Sequence, residues 1–188
     1  MKASDADRLL IEFAQLINAE KILVIGSQAI HATHPDPPID VVTDSREIDA
    51  IPLPYEQFEK WFFYAHERLG SDSEFDLENQ LYVDMVNVKV PKLPPDWEAR
   101  CTHRTLNRED GTRVDVLYPD IYDLLLTKLL ANRPQDEAFL RGVKQLQKLD
   151  GSLLATRLEA VELVEGTEHL RNWARKCIGR VFRKHHNA

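Results

Sequence analysis

The chain has 188 residues and a mass of 21.7 kDa, with 43% hydrophobic and 29% charged residues, 7 Gly, 10 Pro and a formal net charge of −7. This composition excludes collagen-like, low-complexity and disordered chains, and the length suits one core better than two. No apolar run nears the roughly 18 to 20 residues that cross a bilayer. The first twenty residues hold four acids and no secretory pattern, and Cys101 and Cys177 form no CxxC pair. A cytoplasmic protein with ordinary thiols and no membrane partner is therefore expected.

Residues 5 to 19 place Leu9, Leu10, Phe13, Leu16 and Ile17 at helical spacing behind Ser4 as N-cap, which predicts a first helix. The apolar run KILVI then reads as a strand that ends at Gly26, and Ser27 opens a helix-compatible stretch interrupted by Pro35, Pro37 and Pro38. REIDAIPL predicts a second strand. Residues 55 to 69 predict a helix with Phe58, Trp61, Phe62 and Ala65 on one face and Gly70 as its stop. In LYVDMVNVKV the apolar set changes phase from Leu81, Val83 and Met85 to Val86, Val88 and Val90. A bulge, or a third strand buried on both faces, produces that pattern. Two further strands, 102–106 and 112–117, flank NREDG, whose Asp110-Gly111 pair is a hairpin turn signal. After Pro119 the pattern is helical over about 120–132, 135–148, 152–164 and 167–184. The expected fold is α/β or α+β: a mixed sheet over residues 1–118, with a helical part over 119–188 packed on it.

Four places along this chain carry candidate chemistry. A glycine at a strand end lets the backbone approach a phosphate, and a serine after it can cap a helix whose amides attract anions, so Gly26-Ser27 is a candidate phosphate turn. The same dipeptide also serves ordinary strand-to-helix connections. Side chains alternate along a strand, so Glu47 and Asp49 share one face while Ile48 enters the core. Such a pair is either a solvated surface pair or a site for a hard cation, Mg²⁺ or Mn²⁺. In RVDVLY, Asp115 takes the face opposite Val114 and Val116. If its strand lies beside the one with Glu47 and Asp49, three carboxylates meet. Such a triad holds metal for displacement at phosphorus, and Asp115 can take the proton of an attacking hydroxyl. Lys128 and Arg133 sit about 140° apart on a continuous helix and share a side only if the helix ends near Pro134. Asp123, Asp136 and Glu137 are close enough in sequence to pair with them.

Other groups carry less. His31 and His34 could face one way but lack a third ligand, and His103 near Cys101 is too sparse for zinc. Tyr82, Trp97 and the aromatics at 61–64 read as core. Six of the 24 Lys and Arg fall in the last twenty residues, which hold no acid and interleave Trp173 and Phe182. That segment is a basic helix end or a local phosphate attractor.

Taken together, these motifs resemble the nucleotidyltransferase (polymerase β-like) superfamily. GSQAIHATHPDPPIDVVTDSREIDAIP is similar to the signature of small nucleotidyltransferase-like proteins, GSQA followed by S-x-E-x-D-x-x-P. The likeness extends through LGSDSEF, LPPDW-x-x-R and VDVLYPDIYDLLLTKLLANRPQD, over about residues 20 to 140. The last of these segments also resembles a helix of abortive-infection toxin nucleotidyltransferases. The resemblance implies transfer of a nucleoside monophosphate from an NTP to an acceptor hydroxyl on RNA, protein or a small molecule, in a toxin-antitoxin or phage-defence setting. It implies that Gly26, Ser27 and Arg133 bind nucleotide, that Glu47, Asp49 and Asp115 hold Mg²⁺ or Mn²⁺, and that Asp115 and Lys128 act in catalysis. The alternative is a catalytically silent module of the same fold that binds a protein partner.

Overall fold

The computed structural model describes residues 1–35, 37, 45–108 and 110–183. Five strands form one mixed sheet in the order β3-β2-β1-β5-β4. They are β1 (Lys21–Ile25), β2 (Glu47–Leu53), β3 (Tyr82–Met85), β4 (Thr102–Asn107) and β5 (Arg113–Tyr118). β1 pairs antiparallel with β2 and parallel with β5, β2 pairs parallel with β3, and β4 pairs antiparallel with β5. This is the expected mixed α/β architecture. The hairpin falls where Asp110-Gly111 places it. Gly111 has φ +81°, and the Asp110 carboxylate accepts from both the amide and the hydroxyl of Thr112.

Helices α1 (Ala3–Ile17), α2 (Phe58–Leu69), α3 (Glu74–Asn79), α4 (Ile121–Ala131), α5 (Pro134–Leu146), α6 (Gly151–Ala160) and α7 (Glu168–Phe182) complete the described chain. Helix α1 begins two residues earlier than Ser4 as N-cap requires. Lys2 holds the cap position, and its carbonyl accepts the amides of Asp5 and Ala6. Short α3 was not foreseen; Ser73 caps it by accepting the Asp76 amide at 3.2 Å. The third strand stops at Met85 instead of running to residue 90. The Asn87 side chain accepts the Lys89 amide at 2.9 Å and turns the chain away.

One sheet face supplies Ile22, Val24, Ile48, Ala50, Val83, Met85, Val114 and Val116 to the main core, together with buried leucines of α1 and α4 and apolar faces of α5, α6 and α7. The opposite face holds a smaller cluster of Leu23, Ile25, Ile51, Val86 and Leu117, partly covered by Leu93 and Trp97. The phase change after Met85 is thereby explained: Val83 and Met85 face one core, Val86 and Val88 the other. Among the described residues the buried acids Asp76, Asp123 and Asp136 are each ion-paired with an arginine, whereas buried Arg108 donates to the main-chain carbonyls of Ala14 and Ala19. Asp123 is fully buried and receives Arg100 at 2.8 Å and Arg157 at 2.9 Å, which ties α4 to α6 and to the 98–100 turn. Among the described residues no helix is long and apolar enough to cross a membrane.

Candidate functional site

Glu47 and Asp49 leave β2 on the face of the smaller cluster, while Ile48 and Ala50 are fully buried on the other. Period-two alternation therefore puts both acids on one side, as their spacing requires. β3 adds neighbours that sequence reasoning missed. Its parallel register sets Tyr82 beside Glu47 and Asp84 beside Asp49, and the Tyr82 hydroxyl donates to Glu47 Oε2 at 2.8 Å. Tyr82 is thus a site residue and not a core one. The signal for Asp84 was available in its alternation with Val83 and Met85; the pairing of its strand was not.

Asp49 and Asp84 line a cavity of about 740 Å³ together with Gly26, Lys128 and Arg133. Glu47 stands close enough to raise the pKa of both aspartates. Burial pushes Asp49 up to about 6, with Glu47 next and Asp84 adding to it; Lys128 and Arg133 oppose the shift. Asp84 is raised by burial and then by Glu47. The Tyr82 hydroxyl is pushed up to about 12 by burial and by its bond to Glu47. Lys128 is lowered by burial, against the pull of Asp49.

The two cations reach the same cavity because α4 ends where Pro134 requires. Asn132 adopts a left-handed conformation at φ 58°, ψ 40°, and Arg133 becomes the N-cap of α5 with Pro134 behind it. The Arg133 guanidinium is braced by two bonds to Asp136, at 3.2 and 3.1 Å. Of the three acids near these cations in sequence, only Asp136 pairs with either of them in a hydrogen bond or ion pair. Asp123 serves Arg100 and Arg157, and Glu137 serves Arg141 and Arg180. Lys128 Nζ lies 5.4 Å from the centre of the Phe139 ring.

Gly26 is required twice over. Its φ of +75° with ψ −168° is a region essentially closed to other residues, and a Cβ there would fall inside the Asp49 carboxylate. Ser27 is buried and does not line the cavity, and the helix it opens is only a six-residue 3-10 segment, Ser27–Ala32.

Asp115 is the principal correction. It shares the face of Glu47 and Asp49, but β5 pairs with β1 and not with β2. Asp115 is level with Lys21 at the start of β1, whereas Asp49 is level with Ile25 at its end. Four residues of strand separate them, about 13 Å, and two strand spacings add about 10 Å across. Leu23, Ile51 and Leu117 fill the space between. Asp115 accepts a bond from the Thr105 hydroxyl at 3.0 Å and lines a separate cavity of about 550 Å³ with Glu20, Lys21 and Trp61. The expected triad does not assemble; the acid level with Asp49 on the neighbouring strand is Asp84.

Histidines 31 and 34 do not form a pair. The first meets Gln28 and the second Thr33. The basic C-terminal segment is largely neutralised where it is described. Arg171 pairs with Glu168, Arg175 with Glu159 and Arg180 with Glu137, and the Arg180 guanidinium lies over Trp173. Residues 184–188 lie outside the described residues.

Among the described residues no three His, Cys, Asp or Glu side chains are grouped so as to hold a metal ion. Mg²⁺ does not need three, because it keeps waters and binds through one or two carboxylates plus substrate phosphates. Clustered, mutually repelling carboxylates with hard oxygens, set against Lys128 and Arg133, are a fitting donor set for such an ion. A cleft with acids on one wall and cations on the other suits a polyphosphate that brings metal with it.

The chain belongs to a family of nucleotidyltransferases. The matching family is described as a nucleotidyltransferase of unknown function (DUF6036), and its model covers residues 7–180. No curated protein and no solved structure matches the chain.

Proposed function

We propose that this protein moves a nucleoside monophosphate from an NTP to an acceptor hydroxyl and releases pyrophosphate, with Mg²⁺ or Mn²⁺ held by Glu47 and Asp49. The observation that carries this reading is the meeting of Asp49, Asp84, Lys128, Arg133 and Gly26 in one cavity. When bound, the cation supplies charge neutralisation at the phosphoryl oxygens. The side chains do the rest. Lys128 and Arg133 bind the triphosphate and stabilise the departing pyrophosphate, Lys128 as a point charge and Arg133 as a planar fork. Gly26 brings main chain against the site without a side chain in the way. Asp84, beside Asp49 in register, accepts the proton of the acceptor hydroxyl as its oxygen bonds to the α-phosphorus and the bond to pyrophosphate breaks.

The acceptor is an RNA 3′ end, a protein hydroxyl or a small-molecule alcohol, and a cytoplasmic toxin-antitoxin or phage-defence setting agrees with the resemblance of the 114–136 segment to toxin enzymes. Incubation with α-phosphate-labelled NTPs, Mg²⁺ and RNA, protein or aminoglycoside-like acceptors tests the reading. Transfer that Asp49→Asn abolishes supports it. Metal-dependent NTP binding without transfer to any acceptor would favour the silent, partner-binding module.

A further inference from the structure

Within the GSQA run, Gln28 has no task in the chemistry proposed above. It is 2% exposed and does not line the cavity. Its Nε2 donates to the carbonyl of Ser45 at 2.9 Å, and its Oε1 lies 2.9 Å from Nε2 of His31. A carbonyl only accepts, so the amide must turn its nitrogen to Ser45 and its oxygen to His31. His31, itself 3% exposed, then presents Nε2–H to that oxygen. Its Nδ1 is buried with no partner among the described residues.

Ser45 continues the path. Its hydroxyl oxygen accepts the Glu47 amide at 3.3 Å and lies 3.5 Å from the Glu47 carbonyl. Strand pairing explains why this stretch needs a tether. The ladder between β1 and β2 ends at Ile25 opposite Asp49, so Glu47 lies past its end and is paired only on the β3 side. The Gln28 bond stands where that ladder is missing, holding the entry to β2 against the turn after Gly26.

We infer that Gln28, braced by His31, is a positioning residue that sets Glu47 beside Asp49 for cation binding through Ser45. The inference rests on the proposed metal role of those two acids. Mn²⁺ titrated calorimetrically into wild type, Gln28→Met, Ser45→Ala and Asp49→Asn tests it, with NTP binding in EDTA as a second readout. Gln28→Met should weaken Mn²⁺ binding about tenfold, in line with groups that orient metal ligands, and Ser45→Ala should weaken it to a smaller extent, while metal-free NTP binding stays unchanged. Wild-type affinity in Gln28→Met, with binding lost in Asp49→Asn, overturns the inference and leaves the proposed function standing. Parallel loss of Mn²⁺ and NTP binding marks general loosening and also overturns it. Should Gln28→Met fail to fold, Ser45→Ala decides, and unchanged Mn²⁺ affinity there overturns the inference. Absence of Mn²⁺ binding in wild type, or equal binding in Asp49→Asn, removes the metal reading and the inference together.

Discussion

Asp49 is held in a place that costs stability when it is ionised and empty of metal. Its carboxyl is raised from an ordinary 3.8 to about 6, first by burial and then by Glu47. The folded chain therefore binds that proton more tightly than the unfolded chain, and stability falls as pH rises from about 4 to about 6. Above that window the full penalty applies, up to about 3 kcal/mol. In EDTA, Asp49→Asn should melt higher than wild type at pH 7.5, and the gain should shrink toward zero near pH 4. A gain that does not change with pH would contradict the assigned shift. Gly26→Ala should act in the opposite direction. It forces a Cβ into a glycine-only conformation, at a cost of about 1–3 kcal/mol, and displaces the Asp49 carboxylate. Thermal melts should show the loss, and Mn²⁺ binding should fall with it.

At the scale of elements, strand order decides which acids work together. The face of each carboxylate was legible from alternation: Glu47, Asp49 and Asp115 all lie on the side their spacing assigns. The end of the sheet was not, because β1 takes β5 as its neighbour and the register puts Asp115 level with Lys21. That pairing is a tertiary choice with no local signal, and for the same reason Asp84 went unnoticed. The approach of Lys128 and Arg133 was legible as a condition, that the helix end near Pro134, and the left-handed Asn132 meets it. A paired experiment separates the two ends. Asp115→Asn should leave nucleotidyl transfer and Mn²⁺ binding unchanged and shift stability by less than about 0.5 kcal/mol, since it is an exposed site. Lys128→Met should raise KM for NTP about tenfold or more, consistent with loss of a charge-assisted phosphate contact, and Lys128→Arg should restore part of it. Transfer abolished by Asp115→Asn would contradict the placement.

Across the whole molecule, the helical part from residue 119 onward forms one wall of the site and one wall of the core. Leu124, Leu125, Leu126, Leu129 and Leu130 are each no more than 1% exposed and belong to the same cluster as Ile22, Val24 and Val116. Lys128 and Arg133 come from this part, Asp49 and Asp84 from the sheet. The full chain should therefore unfold in a single calorimetric transition. A piece limited to residues 1–118 should fail to fold, because it strips the main core of the buried side chains of α4 to α7. Two separate transitions would contradict the shared core. The central claim, that carboxylates of the sheet and cations of α4 and α5 hold a metal-bound NTP between them, is tested most directly by anomalous diffraction from crystals soaked with Mn²⁺ and a non-hydrolysable NTP analogue. The predicted result is a manganese peak bound by Glu47 and Asp49, with the analogue's phosphates turned toward Lys128 and Arg133. A peak at Asp115, or phosphates lodged away from both cations, would contradict it.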